Sequence, residues 1–156
     1  MRYHLMIKCY TDGAAKGNGS VGCKGGYGIF IIHPCGKQER FCGGMTNTTN
    51  NEQELLAVLK ALTYLTRADQ PIKRIEILTD SSYVLNGVTK WLPNWIKKGW
   101  RTASGSPVKN VPLWQAISRL DLSNVIFTKV KGHSGDVGNE EADRLANCGA
   151  RKALSP

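Results

Sequence analysis

The fold of this chain is decided by residues 5–13, Leu5-Met6-Ile7-Lys8-Cys9-Tyr10-Thr11-Asp12-Gly13. The run is rich in apolar residues until it meets an acid, and a glycine follows. A second run of the same form, Ile75-Glu76-Ile77-Leu78-Thr79, leads into Asp80. Open α/β sheets place ligand-binding groups at the carboxyl ends of their strands. The two runs therefore predict neighbouring strands that end in Asp12 and Asp80 at one edge of a sheet.

Two further strands are predicted soon after the first, so that the early strands cover about 3–11, 26–33 and 38–46. The turn His33-Pro34-Cys35-Gly36 joins the last two, because Pro and Gly in those places favour a reverse turn. Later strands are predicted at about 73–79 and 125–130. Strands joined by short turns pair antiparallel, whereas strands linked through a helix pair parallel.

Helical periodicity begins after the third strand. Asn50 with Gln53 three residues later resembles a capping box. The apolar residues that follow at helical spacing are Leu55, Val58, Leu59, Leu62 and Leu65. We expect Ser81 to begin the next helix and a final helix to lie near 138–150.

Residues 82–120 are predicted to form helices broken at Gly87, Pro93, Gly99 and Ser104–Pro107. The resulting order is βββαβαααβα. Such an order predicts an α/β fold, with a five-stranded mixed sheet of three antiparallel and two parallel strands flanked by helices.

Four acids occupy settings that suit metal ligands, and they are Asp12, Glu54, Asp80 and Asp143. Glu54 and Asp143 border the apolar faces of the first and last helices, so both carboxylates reach toward the end of the sheet. Converging acids repel one another unless cations hold them, and hard oxygen ligands suit Mg²⁺ or Mn²⁺. Two such ions about 3.5–4 Å apart suit phosphoryl chemistry. Taken singly, each acid has an alternative interpretation as a turn residue, a helix cap or a surface charge.

Composition limits the classes of function. At 156 residues the chain is expected to form one domain. Its 21 basic and 12 acidic residues give a net charge of +9, which favours a polyanionic partner, with nucleic acid first and an anionic membrane second. Five cysteines without a C-x-x-C pair argue against a disulfide framework or a zinc site and for a reducing compartment. With neither a bilayer-spanning run nor a secretory signal, we expect a cytoplasmic protein.

A basic and aromatic segment lies between Asp80 and Asp121. It contains all four tryptophans, six basic residues and no acid. Cations that meet phosphates, interleaved with rings that pack on sugars or bases, are typical of a nucleic-acid surface. The alternative is that some of these rings are core anchors, which we expect of Trp114 and Trp95.

Seven segments, in order along nearly the whole chain, resemble the type 1 ribonuclease H family. They are Tyr10-Thr11-Asp12-Gly13, Thr49-Asn50-Asn51-Glu52-Gln53-Glu54-Leu55, Thr79-Asp80-Ser81-Ser82-Tyr83-Val84, Asn94-Trp95-Ile96-Lys97-Lys98-Gly99-Trp100-Arg101-Thr102, Pro107-Val108-Lys109-Asn110-Val111, Val130-Lys131-Gly132-His133-Ser134-Gly135 and Asn139-Glu140-Glu141-Ala142-Asp143.

The resemblance implies an endonuclease with the ribonuclease H-like fold that cuts the RNA strand of an RNA–DNA hybrid, leaving a 3′-hydroxyl and a 5′-phosphate. The four acids match the family's metal-binding acids, which implies two Mg²⁺ ions with Mn²⁺ as a substitute. His133 matches a loop histidine that moves protons or assists product release. The single domain, 1–156, leaves no room for the separate N-terminal hybrid-binding module of many eukaryotic members. We expect a monomer that makes no contact with a membrane.

The resemblance also implies how the hybrid is held. A basic protrusion at about 90–110 grips the DNA strand, Tyr83 and Trp91 line the DNA channel, and Thr49 and Asn110 form a DNA-phosphate pocket. Residues of the protrusion that serve this purpose are Lys97, Lys98, Trp100 and Arg101. Those that match contacts to the RNA side of the minor groove are Asn18, Asn50 and Asn51. Their amides address 2′-hydroxyls and base edges.

Three departures from the family pattern stand out. Residues 16–24 carry extra residues, Ser82 replaces a longer side chain near the scissile region, and Asn47 stands where some members use an arginine in the phosphate pocket. None of them touches the four acids.

Two other functions compete with the hydrolase. One is a non-catalytic module that binds hybrid or duplex nucleic acid on the same fold, and the other is a detached reverse-transcriptase domain. The presence of all four acids argues against the first, and the length and basic protrusion argue against the second.

Overall fold

The computed structural model describes residues 6–67, 74–132 and 135–153. Five strands form one sheet, and they are β1 (Met6–Lys16), β2 (Lys24–Ile32), β3 (Gln38–Thr46), β4 (Arg74–Thr79) and β5 (Val125–Lys129). The helices are α1 (Asn50–Leu65), α2 (Ser82–Asn86), α3 (Leu92–Lys97), α4 (Val111–Ser118) and α5 (Val137–Lys152), with a π-helical turn over Gly87–Trp91.

The sheet has the order β3-β2-β1-β4-β5. β1 pairs antiparallel with β2, and β2 with β3. β4 lies parallel to β1 on one side and to β5 on the other. The predicted mixed sheet, the order of elements and the pairing of the strand before Asp80 with the first strand are therefore confirmed. The predicted turn between β2 and β3 is closed by a 2.9 Å hydrogen bond from Gly36 N to His33 O.

The first strand is longer than predicted at its carboxyl end. We expected it to stop before Asp12, but residues 13–16 continue to pair with residues 24–27 of β2. The parallel ladder with β4, in contrast, stops at Tyr10 opposite Leu78. Asp12 therefore lies inside β1 while standing just beyond the parallel pair of strands. The predicted starts of β1 and β4 at residues 3–5 and 73 fall outside the described residues.

The amino-terminal cap of α1 is also different from the prediction. Thr49, and not Asn50, is the N-cap residue, and its hydroxyl accepts a 3.0 Å hydrogen bond from the Glu52 backbone N–H. The side chain of Asn50 is engaged instead with β1, where its Oδ1 accepts from Ala15 N at 2.6 Å. The prediction chose the wrong residue because threonine and asparagine are both good caps, and only the tertiary contact separates them.

The predicted interruptions at Gly87 and Pro93 lie at observed element boundaries, because α2 ends before Gly87 and α3 begins at Leu92, but the backbone between them stays helical as a π-helical turn. The helical stretch over residues 82–97 begins as predicted at Ser81, whose Oγ accepts from Val84 N at 3.1 Å. A π-helical turn in the middle of this stretch continues the helix, and the Leu92 backbone N–H donates a hydrogen bond to Gly87 O. Pro93 lies in the first turn of α3, directly after the π-helical turn. The break at Gly99 is real, because its φ of 66° is left-handed.

The two faces of the sheet pack by different means. On one face, the fully buried Leu55, Val58 and Leu62 of α1 pack in the apolar core with strand residues such as Ile31. On the other, α5 lies almost on the backbone of β2: a Cβ placed on Gly28 would stand 2.2 Å from Ala142 O. Glycine on the strand therefore lets α5 approach the sheet closely. No helix of the described residues has the length and apolar character needed to cross a membrane.

The cap of α1 can be tested by two substitutions at one position. Thr49→Ala should lower the free energy of unfolding by about 1 kcal/mol, because the Glu52 N–H loses its acceptor. Thr49→Ser keeps the hydroxyl and should stay close to the wild-type value. Urea unfolding of both variants measures the difference. Equal losses in the two would assign the effect to the threonine methyl group and not to the cap.

Candidate active site

The four predicted acids line one cavity of about 410 Å³ at an end of the sheet. They reach it from four different elements: Asp12 from β1, Glu54 from α1, Asp80 from the end of β4 and Asp143 from α5. The other lining residues are Gly13, Ala14, Asn50, Asn51, Ser81, Ser82 and Tyr83.

Glycine brings the backbone segments together at two places. A Cβ on Gly13 would lie 2.4 Å from Glu54 N, so only glycine lets β1 pass this close to α1. Asp12 and Glu54 become neighbours as a result. On the opposite side, a Cβ on Gly132 would lie 2.8 Å from Asp80 Oδ2, so the loop after β5 closes over that carboxylate.

Three of the acids form a tight group. Asp12, Glu54 and Asp80 each offer one carboxylate oxygen, and these oxygens lie within 4.8 Å of one another. Asp143 is not part of this group, but it lines the same cavity as the other three acids. The structure thus brings all four predicted acids to one place, three of them more closely than the fourth.

Burial and crowding oppose the charged forms of these acids. Asp12 and Glu54 are only 5% and 7% exposed. Burial, with a further contribution from the charge of Asp80, raises the pKa of Asp12 to about 7. Burial and the neighbouring Asp12 raise the pKa of Glu54 well above its usual range. A raised pKa favours the protonated forms of Asp12 and Glu54 near neutral pH unless a cation replaces the protons.

The donor set fits a hard divalent cation. All of the converging ligands are carboxylate oxygens, which Mg²⁺ and Mn²⁺ prefer. Glu54 Oε2 is buried and has no hydrogen-bond partner among the residues that the structure describes. A buried carboxylate oxygen without a donor is costly, and a bound cation would satisfy it.

The predicted minor-groove asparagines hold each other and the nearby loop. Asn18 Oδ1 accepts from Asn50 N at 2.7 Å, and Asn50 Oδ1 accepts from Ala15 N at 2.6 Å. Asn51 lines the cavity from an exposed position. The oxygens of Asn18 and Asn50 are thus committed to the protein, which leaves their amide N–H groups as the donors for a ligand.

The loop with extra residues is tied to the same place. Asn47 stands at a left-handed φ of 56°, and its Oδ1 accepts from Gly22 N at 2.6 Å. Gly19 N donates to Thr48 O at 3.0 Å. Asn47, which the resemblance matched to an arginine of some family members, therefore holds the loop between β1 and β2.

Two of the predicted DNA-side residues, Trp91 and Asn110, contact a third, Tyr83. Tyr83 OH accepts from Asn110 Nδ2 at 3.2 Å and from Trp114 Nε1 at 3.1 Å. Trp91 lies edge-on to the Tyr83 ring at 6.0 Å between centroids. Trp114 is fully buried, as expected of a core anchor, and Trp95 is partly buried against it.

The predicted protrusion carries its charges outward. Lys97, Lys98 and Arg101 are exposed, and Trp100 is partly buried against the core at a left-handed φ of 65°. Arg101 Nη1 donates to Gly105 O at 3.0 Å, which closes the turn beyond the helix.

One cavity-rim contact was missed by the sequence analysis, and one predicted residue lies outside the description. Lys129, the last residue of β5, donates to Ser82 Oγ at 2.8 Å and so brings a cation to the rim. The sequence signal that could have identified Lys129 is its position at the end of the predicted strand β5, which pairs with the strand that ends before Asp80. His133 is not among the described residues.

The conflict among the buried acids predicts a dependence of stability on pH. The folded-state pKa of Asp12, about 7, lies above its ordinary 3.8, so ionisation costs stability as pH rises between those values. In the presence of a chelator, Asp12→Asn should stabilise the protein by roughly 2–4 kcal/mol near pH 8 and have little effect near pH 4. Urea unfolding at both pH values measures this, with the exposed Glu140→Gln as a matched control. A loss of stability in Asp12→Asn at the higher pH would contradict the conflict.

Comparisons with known proteins agree with this geometry. The model of the RNase H family matches residues 5–151. A ribonuclease HI of Pseudomonas aeruginosa PAO1 is 48% identical over 145 residues, which cover 92% of this chain and 93% of the relative.

Solved structures are similar as well. LC9-RNase H1, a type 1 RNase H with the type 2 active-site motif, superposes with a TM-score of 0.80 at 29% identity, covering 97% of this chain and 74% of that one. A foamy viral protease-reverse transcriptase in complex with RNA/DNA hybrid gives a TM-score of 0.81 at 25% identity, covering 96% of this chain and 20% of that one. The chain therefore belongs to the ribonuclease H family, as a type 1 member.

Proposed function

We propose that this chain hydrolyses the RNA strand of RNA–DNA hybrids at the four-acid cavity, leaving a 3′-hydroxyl and a 5′-phosphate. The observation that carries the proposal is the group of three carboxylates whose oxygens lie within 4.8 Å of one another. Membership of the family supplies the reaction class. A structural relative that was solved with such a hybrid supports the substrate. The protein is proposed to act as a cytoplasmic monomer formed by one domain.

Asp12, Glu54 and Asp80, with Asp143 beside them, are proposed to hold two Mg²⁺ ions, with Mn²⁺ as a substitute. Bound ions of this kind lower the pKa of water and stabilise a leaving oxygen. The protein's own contribution is to hold the four carboxylates in place and to keep two of them buried. His133 is proposed to move a proton or assist product release.

The RNA strand is proposed to lie against Asn18, Asn50 and Asn51. Because Oδ1 of Asn18 and of Asn50 already accept backbone hydrogen bonds, these two side chains present amide donors to the groove. A donor finds an acceptor in a ribose 2′-oxygen or in a base edge, and the 2′-hydroxyl distinguishes RNA from DNA. The contacts are to sugar and groove shape, so little sequence preference is expected.

The DNA strand is proposed to lie against the aromatic cluster and the protrusion. Tyr83 and Trp91 offer ring surface, and the Tyr83 hydroxyl is held by the side chains of Asn110 and Trp114. Thr49 and Asn110 are proposed to meet a DNA phosphate. Phosphates further along meet the exposed charges of Lys97, Lys98 and Arg101. The ring of Trp100 is proposed to support the same surface.

Cleavage of an end-labelled RNA–DNA hybrid tests the proposal, with RNA–RNA and DNA–DNA duplexes as controls. We expect cutting of the RNA strand of the hybrid alone, lost on chelation and restored by Mg²⁺. Asp12→Asn should abolish cleavage and retain hybrid binding, because it removes a metal ligand and leaves the basic surface intact.

The controls separate site from fold. Glu140→Gln, an exposed change on α5, should cut at the wild-type rate. Near wild-type cutting by Asp12→Asn would show that the site is elsewhere. Binding without cutting in both Mg²⁺ and Mn²⁺ by the wild-type protein would instead support the non-catalytic module.

The protrusion makes a separate prediction. Reversal of charge at Lys97 and Lys98 should raise KM, leave kcat nearly unchanged and lower the slope of binding against salt by about two counterions. The control is the charge reversal Lys37→Glu. Lys37 is an exposed lysine on the turn that joins β2 to β3, at the opposite end of that hairpin from Lys24 and Thr46. If the double reversal binds the hybrid with the wild-type salt dependence, the protrusion does not contact the phosphates.

A further inference from the structure

Two cysteines outside the candidate site lie on neighbouring elements, Cys42 on β3 and Cys148 on α5. Alternate residues of a strand share a face, so Arg40 points to the same side of β3 as Cys42. Arg40 Nε contacts Glu141 Oε2 of α5 at 2.5 Å, which shows that this side faces α5. Glu141 and Cys148 are seven residues apart, two helical turns, and therefore share one face of α5.

A second contact between β3 and α5 lies on the other side of the two cysteines, where the two backbones approach each other closely. A Cβ on Gly44 would lie 2.0 Å from Gly149 O, and a Cβ on Gly149 would lie 2.2 Å from Gly43 O. The backbones of β3 and α5 therefore touch one residue beyond each cysteine. Cys42 and Cys148 therefore lie between this contact and the ion pair, on the facing surfaces of β3 and α5.

The surroundings distinguish this pair from the other three cysteines. Cys9 is fully buried, and Cys23 is 7% exposed with its Sγ 2.9 Å from Thr48 O. Cys35 is exposed on the β2–β3 turn. Cys42 and Cys148 are both partly exposed, so a small reagent reaches them, and all five thiols are free.

We propose that Cys42 and Cys148 are a modification site, an oxidisable pair that closes to an intramolecular disulfide with a small-molecule disulfide such as oxidised glutathione. One cysteine thiolate attacks the reagent's S–S bond and releases the first glutathione thiolate. The second cysteine thiolate then attacks the mixed disulfide and releases the second. The two protons lost by the cysteines end on the two released thiols, so the protein loses two electrons and the reagent gains them.

The geometry suits this bond and predicts its effect. A disulfide needs Cα atoms about 4.4–6.8 Å apart, and the close backbone contact between Gly43 and Gly149 lies one residue from each cysteine. The link would join the edge strand to the helix that carries Asp143. Because close packing already fixes these elements, closure should leave the helix where it is. Oxidation is therefore expected to stabilise the fold and to spare Mg²⁺-dependent cleavage.

The test treats the whole protein with oxidised glutathione and maps its peptides without reduction. We expect one linked pair of peptides that contains Cys42 and Cys148, two hydrogen atoms fewer in the intact mass, and a rise in Tm of about 10 °C. Dithiothreitol should reverse all three. Cys42→Ser and Cys148→Ser should each lose the rise in Tm, and Cys35→Ser, the matched control, should keep it.

Other outcomes overturn the proposal. They are wild-type protein in which both thiols stay open to alkylation, separate glutathione adducts on the two cysteines, and a rise in Tm that disappears in Cys35→Ser. The peptide map of the wild-type protein decides the question even where a serine variant folds poorly.

Discussion

The crowding of acids at one end of the sheet is the constraint on which this structure depends. Two ionised carboxylates 4.8 Å apart would repel by about 3–4 kcal/mol at an effective dielectric constant near 20, and this repulsion adds to burial in raising the pKa of Asp12 and Glu54. The carboxylates stay together because the packing of the backbone segments that carry them fixes their positions. β1 runs between β2 and β4, and α1 passes over Gly13. The favourable free energy of folding of the rest of the protein offsets the unfavourable free energy of bringing these acids together.

Close approach of backbones is the means by which the fold meets that constraint. Gly13 lets α1 reach β1, and Gly28 lets α5 lie on β2, so two helices deliver Glu54 and Asp143 to one edge of the sheet. A larger side chain at either glycine would separate the helix from the strand. The positions of the candidate metal-binding residues Glu54 and Asp143 thus depend on glycines, which have no side chain.

The sequence predicted the sheet and the convergence of the four acids at its end, because strand patterns and a family resemblance both point to them. It failed where a choice depends on tertiary contacts. Thr49 and Asn50 are equally good caps, and only the contact of Asn50 with Ala15 decides between them. Gly87 and Pro93 are strong local breakers and lie at element boundaries, yet the backbone between them stays helical as a π-helical turn. The strand pairing that carries β1 beyond Asp12 is likewise invisible in a local pattern.

The π-helical turn over Gly87–Trp91 predicts where members of this family can differ in length by one residue. A π turn contains one residue more than an α turn, so one residue can be gained or lost there while the flanking helices keep their facing. Tyr83 before the turn and Trp95 after it would hold their packing through such a change. Alignments of relatives should therefore place single-residue gaps in this turn, where a change in length leaves both the aromatic packing and the acids in place.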